Sequence, residues 1–374
     1  MKITRNIWTS ENKWAGSTAH PTRADLVMVF GAGAALNGDC MTELRNMYPK
    51  AYICGCSTAG EIAGACVLDD SIVATAVEFE GSHVKAAEVV IDGPQDSYAA
   101  GQKLAALIPQ EGLRHAFVLS DGLAVNGTEL AKGINSGLAP GVAVTGGLAG
   151  DGSRFVETYV CADGVVSKNR IVMLGFYGPR LRVSYGSMGG WDPFGPERRI
   201  TRSKGNVLYE LDGQNALALY KNYLGDHAAD LPASGLLFPL AIRDGDTNPS
   251  VVRTILAVNE QDQSMTFAGD MPEGALAKLM RANFDRLVDG ASGAARACQL
   301  ASNCSELAIL ISCVGRKLLL NQRIEEEVEG VIDVLGEDTV TTGFYSYGEI
   351  SPLTPDARCT LHNQTMTITT FAEV

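Results

Sequence analysis

The chain has 374 residues, 46% of them hydrophobic, and a formal net charge of −13. That length and apolar content allow ample buried core and argue for two domains rather than one. The acidic balance speaks against nucleic-acid binding, which needs a basic surface to displace counterions, and against attraction to anionic lipid.

No unbroken apolar run reaches the length of a membrane span, and Met1 to Ala15 lacks the apolar centre of a signal peptide, so the expected compartment is the cytoplasm. Nine cysteines in that setting read as reduced thiols rather than a disulfide framework. Most of them, including Cys161, Cys298, Cys304 and Cys313, lie among apolar or small residues and read as ordinary core.

The first strand-length apolar run is Leu26 to Phe30. Asn37 follows it, then a helical segment and a strand that enters Gly-Cys-Ser-Thr-Ala-Gly-Glu at Gly55 to Glu61. Extended stretches come next, at Ser71 to Phe79 and Val84 to Ile91. The pattern restarts at Ala116 to Ser120, passes Asn126 and a helix, and reaches Gly-Gly-Leu-Ala-Gly-Asp at Gly146 to Asp151. Phe155 to Cys161 and Arg170 to Tyr177 are its extended stretches. A Gly/Pro-rich passage from Ser184 to Pro196 then interrupts any regular pattern, after which Arg198 to Tyr209 reads as a strand or strand pair and Ala216 to Leu224 as a helix. The third copy runs from Leu307 to Ser312 through Asn321 and a helix to Gly-Phe-Tyr-Ser-Tyr-Gly-Glu at Gly343 to Glu349, followed by Cys359 to Leu361 and Met366 to Phe371.

Three copies of one unit predict one architecture. The expected fold is α/β, with mixed sheets built from three strand-helix-strand-Gly turn-strand-strand units in two packed halves. Residues 14–205 hold two units; residues 206–374 hold one unit and a helical segment, with the boundary near Gly205. Each Gly turn needs positive φ or close backbone approach, and its amides can converge on an anion or a carbonyl. The acid after each turn, Glu61, Asp151 or Glu349, either closes the turn with its own carboxylate or faces a ligand.

These residues resemble the FIST domain proteins, which have an N-terminal and a C-terminal FIST half. The resemblance rests on Ile53 to Ile62, Thr145 to Gly152, Gly190 to Ser203, Val207 to Leu217, Gly343 to Ile350 and Leu361 to Thr367, in order over nearly the whole chain. It implies a bacterial signal-input module that binds a small ligand beside histidine kinases, methyl-accepting receptors or cyclic-di-GMP enzymes. Some free-standing members look like haem-binding nitric oxide sensors acting on a histidine kinase. The expected partners are therefore a small molecule and a histidine kinase or cyclic-di-GMP signalling protein, with room for a homo-oligomer.

The expected pocket lies between the halves where the Gly turns meet, lined by Ser57, Thr58, Glu61, Asp151, Trp191, Tyr345 and Glu349. Trp191 and Phe194 either line it or plug the seam between halves. Arg199 and Arg202 either hold an anionic group or pair with surface acids. Cys54 and Cys56, two apart on a strand, point to one face and form the candidate metal pair; Cys40 and Cys66 join only if folding brings them close, and buried thiols are the alternative. Five histidines are present, including His20 and His83. If haem b binds, non-covalently since no Cys-x-x-Cys-His occurs, the axial candidates are His227, His362 and His115.

Catalytic signatures are incomplete. Gly55 to Gly60 is not Gly-x-Ser-x-Gly, Gly31-Ala-Gly33 lacks the third glycine of a dinucleotide fingerprint, and neither a phosphate loop nor His-Glu-x-x-His occurs. A Cys56 nucleophile is the weaker, enzymatic alternative. The leading expectation is a non-enzymatic sensor, of haem and nitric oxide or, without haem, of an amino acid or related metabolite.

Overall fold

The protein is represented by a computed structural model that describes residues 1–16, 23–245, 250–301, 305–354 and 357–374. His20 and Cys304 lie outside the described residues.

Each repeat is built on a triplet of strands. Leu26–Gly31 pairs in parallel with Tyr52–Ser57 and antiparallel with Ile72–Glu78. Leu113–Ser120 does the same with Ala143–Leu148 and Arg170–Tyr177, and Leu307–Cys313 with Val340–Ser346 and Met366–Glu373. The central strands are buried along almost their whole length. That burial on both faces explains why they read as unbroken apolar runs rather than as alternating patterns. The expected mixed α/β architecture of three repeats is what the chain adopts.

Gly55, Gly146 and Gly343 occupy one register position in the three parallel pairs. A Cβ there would lie 1.7, 1.8 and 1.9 Å from the carbonyl oxygens of Val29, Val118 and Leu310. Only glycine permits this approach, so the motif that marks the repeat is set by backbone contact.

The end of the unit differs from the expectation. Between its second and third core strands each repeat carries a short hairpin: Glu61–Ala63 with Cys66–Leu68, Val160–Ala162 with Val165–Ser167, and Gly348–Pro352 with Cys359–His362. No hairpin stays with its own sheet. The first docks on Val340–Ser346 of the third repeat, the second on Tyr52–Ser57 of the first, and the third on Ala143–Leu148 of the second. A lone hairpin is marginally stable and a bare sheet edge is a liability; the cyclic exchange resolves both. The stretch Val84 to Ile91 likewise belongs not to the first unit but to the second sheet, where His83–Val90 pairs with Arg170–Tyr177.

Helix starts also shift. Asn126 is an N-cap, its side chain accepting from the amides of Thr128 and Glu129. Asn37 instead ends a one-turn helix, and Asn321, at φ 48°, separates helices Val314–Leu320 and Ile324–Leu335.

The largest departure from the repeat is an extra sheet. The chain passes from His83–Val90 to the helix Ser97–Leu107 in a few residues, but from the equivalent Leu181–Met188 to the helix Phe284–Ala301 it makes an excursion through Asp192–Lys204 and, among the described residues, seven further strands. This added sheet packs its own core around the helix Ala216–Leu224. The passage Ser184 to Pro196, expected to be irregular, is largely strand, and the irregular register between Pro193 and Glu197 accommodates its prolines. Gly205, at φ 57°, sits in the turn between Asp192–Lys204 and Val207–Leu211. No helix among the described residues is long and apolar enough to cross a membrane.

Candidate ligand site

The three Gly turns do meet. The amide of Ala59 donates to Tyr345 O (2.8 Å), Tyr345 N to Gly60 O (2.8 Å), Gly150 N to Ser57 O (2.8 Å) and Tyr347 N to Leu148 O (3.3 Å). The side chains assigned to a ligand there are engaged with the protein itself. Ser57 Oγ donates to Gly150 O and accepts from Tyr159 N, both at 2.8 Å. Glu61 accepts from the Thr58 hydroxyl and, at 2.7 and 3.3 Å, from the hydroxyl and amide of Ser71. Glu349 repeats the clasp on Ser346 (2.7 Å) and on the hydroxyl and amide of Thr365 (2.8 and 3.2 Å). Burial raises Glu61 to about 7 and Glu349 to about 8, despite these donors, which favour the charged form.

Asp151 is not the third member of this set. The register that places Glu61 opposite Phe344 and Glu349 opposite Gly147 places Val160 opposite Cys56. Asp151 belongs to the chain before that hairpin and binds Arg154 and the amides of Val156 and Glu157. Tyr345 is fully buried and donates to Glu327 (2.8 Å), which also binds Ser312 and the buried Arg316. Thr58 and Glu61 do border a polar hollow of about 670 Å3, shared with Asp69, Arg154 and Lys317.

The remaining assignments are not brought to the turns. Trp191 plugs the seam, donating to Gln364 O at 2.9 Å and packing on Leu287 and Leu320. Arg202 lies on the added sheet, paired with Glu210 at 2.8 Å and stacked over Tyr209. Cys54 and Cys56 share one face as expected, but that face is the buried core, where burial pushes both thiols well above their ordinary range. Cys40 is buried, while Cys66 is exposed on a hairpin. Among the described residues no three His, Cys, Asp or Glu side chains cluster as a metal site would need. A buried thiol held protonated is equally unsuited to be the Cys56 nucleophile.

A haem ligated by the candidate histidines does not fit. His115 is buried, its Nε2 at 2.8 Å from the Thr145 hydroxyl and its ring among Phe176, Tyr185 and Phe371. His362 is buried and donates from Nε2 to Ser351 O at 2.8 Å. His227 sits on the surface against Phe238. None of them lines the polar hollow or the cleft described next.

That cleft, about 690 Å3, opens between the added sheet and the repeat core. One wall is the helix Gly127–Gly137, presenting Thr128 and Lys132; a second is the third hairpin with Arg358 and Leu361; the added sheet supplies Ile242, Asp244 and Arg253. Sequence reasoning missed Arg253, a lone basic residue in a short apolar strand with no motif around it. The residue is only 4% exposed. Nε donates to Asp270 O (3.4 Å), and Nη1 to Val252 O (3.3 Å) and Leu361 O (3.0 Å). Arg253 thus ties the added sheet to the repeat core.

All three acceptors are carbonyls, and Nη2 has no partner among the described residues. Burial lowers this guanidinium to about 10, an effect the charge of Asp270 opposes. Asp270 itself is bonded to Asn126 (3.2 Å) and lies 3.8 Å from Lys132. The Thr128 hydroxyl, on the same cleft, is buried without a hydrogen-bond partner. A buried cation at the wall of a cavity is the kind of polar point that a mostly apolar ligand site requires.

The model of the FIST N domain matches residues 25–214, just over half the chain, and that of the FIST C domain matches residues 216–352. The chain belongs to the FIST family. FIST domains are small-ligand-sensing modules of signal transduction, and in this FIST protein the two matched regions meet just before the helix Ala216–Leu224. An uncharacterised protein of Methanocaldococcus jannaschii is 24% identical over 206 residues, covering 51% of this chain and 39% of that relative. The FIST chain therefore aligns with about two fifths of the relative's length. A cyanuric acid hydrolase from A. caulinodans aligns over 78% of this chain and 99% of its own at 9% identity, with a TM-score of 0.18, too low to carry an argument.

Proposed function

We propose that this FIST protein is a haem-free sensor of an amino acid or related carboxylate metabolite, bound in the cleft between the added sheet and the repeat core. The observation that carries the reading is the buried Arg253 guanidinium without a carboxylate partner. A buried charge whose partners are incomplete is costly, and a ligand carboxylate at Nη2 would complete it. Asp244 and Asp270, on the same cleft, suit an ammonium group at the other end of a zwitterion.

The switch follows from position. Arg253 bonds both bodies, so a ligand that prefers one arrangement of sheet and core shifts the population between arrangements. That shift is the signal passed to a partner, a histidine kinase or a cyclic-di-GMP signalling protein.

The test is thermal unfolding of the protein with each amino acid and short carboxylate in turn. A ligand at about 100 times its dissociation constant stabilises by about 2.7 kcal/mol, which raises the midpoint measurably. The reading expects a stabilising subset whose effect is lost in Arg253→Gln. A panel with no stabiliser, or a stabiliser indifferent to Arg253→Gln, would contradict it.

A further inference from the structure

The Arg253 cleft does not end at Asp270 and Leu361. Both residues also border a second cavity of about 330 Å3, and both offer Arg253 their carbonyls, so the guanidinium stands beside the wall the two cavities share. The second chamber has a different character. Its walls include Leu123, Val125, Phe155, Leu256, Phe267 and Tyr347.

Three of these side chains remain open to solvent: Leu123 is 39% exposed, Phe155 43% and Leu256 46%. Large apolar residues gathered around one hollow are a site feature, whereas scattered single ones are not. Phe155 is also held in an unfavourable backbone conformation, φ 54°, which is uncommon for a bulky residue. Its amide donates to the Tyr347 hydroxyl at 3.2 Å, and its ring stacks on Tyr347 with centroids 4.3 Å apart and planes 15° from parallel.

The repeat shows that Phe155 is an addition. Nine residues, 151 to 159, separate Gly150 from Val160, where a single glycine, Gly60 or Gly348, separates Ala59 from Glu61 and Tyr347 from Glu349. Leu256 and Phe267 come from the added sheet. The two departures from the threefold pattern therefore face each other across this chamber.

We propose that cleft and chamber form one bipartite site for an amphipathic carboxylate, an aromatic amino acid or aryl-alkanoic acid. The carboxylate lies on Arg253 and the aryl group between Phe155 and Leu256, where stacking and apolar burial favour a ring over a short chain. This rests on the reading of Arg253 as the ligand's anchor.

Calorimetric titration of the protein with phenylalanine, 3-phenylpropionate, glycine and propionate tests it. The aryl compounds bind at least about tenfold tighter than their short counterparts. Leu256→Ser, at an exposed position, removes that preference and leaves the affinity for the short acids unchanged, while Arg253→Gln weakens all four. Equal affinity for aryl and short acids, or a preference that survives Leu256→Ser, overturns the bipartite site and leaves the Arg253 reading standing where binding depends on Arg253. Aryl binding indifferent to Arg253→Gln removes the anchor and the bipartite site together, as does binding of none of the four.

Discussion

Replacing Glu61 with Gln gives a pH-dependent stability change whose size follows from the clasp. In the unfolded chain the carboxyl titrates near about 4.3; folded, burial holds it at about 7. A raised carboxyl binds its proton more tightly when folded, so its contribution to stability is fully present below the unfolded pKa. It is lost as pH rises through the folded one. A gap of between two and three pH units corresponds to about 3 kcal/mol. The Gln variant, neutral throughout, has no such slope. Urea unfolding of both proteins at steps from about pH 4 to about pH 8 isolates this, because His115, His362 and Glu349 titrate alike in both and cancel in the difference. The stability of the wild type relative to Glu61→Gln falls by about 3 kcal/mol over that range. A difference that stays flat would show that Glu61 ionises as freely folded as unfolded, and would refute the account of the turn as a buried clasp.

Gly146→Ala drives a Cβ against Val118 O, and costs about 4 kcal/mol or more by urea unfolding or yields no soluble protein, whereas Gly81→Ala, with space around it, changes stability by less than about 0.5 kcal/mol. In thiol labelling read by mass spectrometry, Cys66 reacts in the native protein while Cys54 and Cys56 react only after denaturation; native labelling of Cys56 would revive the nucleophile reading. Asn126→Ala removes a helix cap and lowers stability by about 1 kcal/mol, and because Asn126 also binds Asp270 it weakens binding of the stabilising ligand; unchanged affinity would detach Asp270 from the site.

The repeat was legible because its glycines answer to a rigid demand. Gly55, Gly146 and Gly343 sit where a neighbouring carbonyl excludes any side chain, so the motif survives in all three copies. The exchanged hairpins were not legible. Their strands are as short as the three residues Glu61–Ala63 and Cys66–Leu68, and their partners lie in other repeats, so local pattern carries no sign of them. Asp151 imitated Glu61 and Glu349 because an acid follows the glycine in all three copies; only strand register shows Val160 at the matching place. Glu61 and Glu349 stand at turns that bond to one another, yet sequence alone could not tell a carboxylate facing a ligand from one closing its own turn. Arg253 is the reverse case: its neighbours Val251 and Val252 give no motif, and its meaning arises only when the added sheet lays it against Leu361 of another repeat.

The most direct measurement is a crystal structure of the protein grown with whichever amino acid or carboxylate stabilises it most. The account predicts ligand density with a carboxylate within hydrogen-bonding distance of Arg253 Nη2, in the cleft between the added sheet and the helix Gly127–Gly137. Density in the polar hollow beside Thr58 and Lys317, with the Arg253 cleft holding only water, would contradict it.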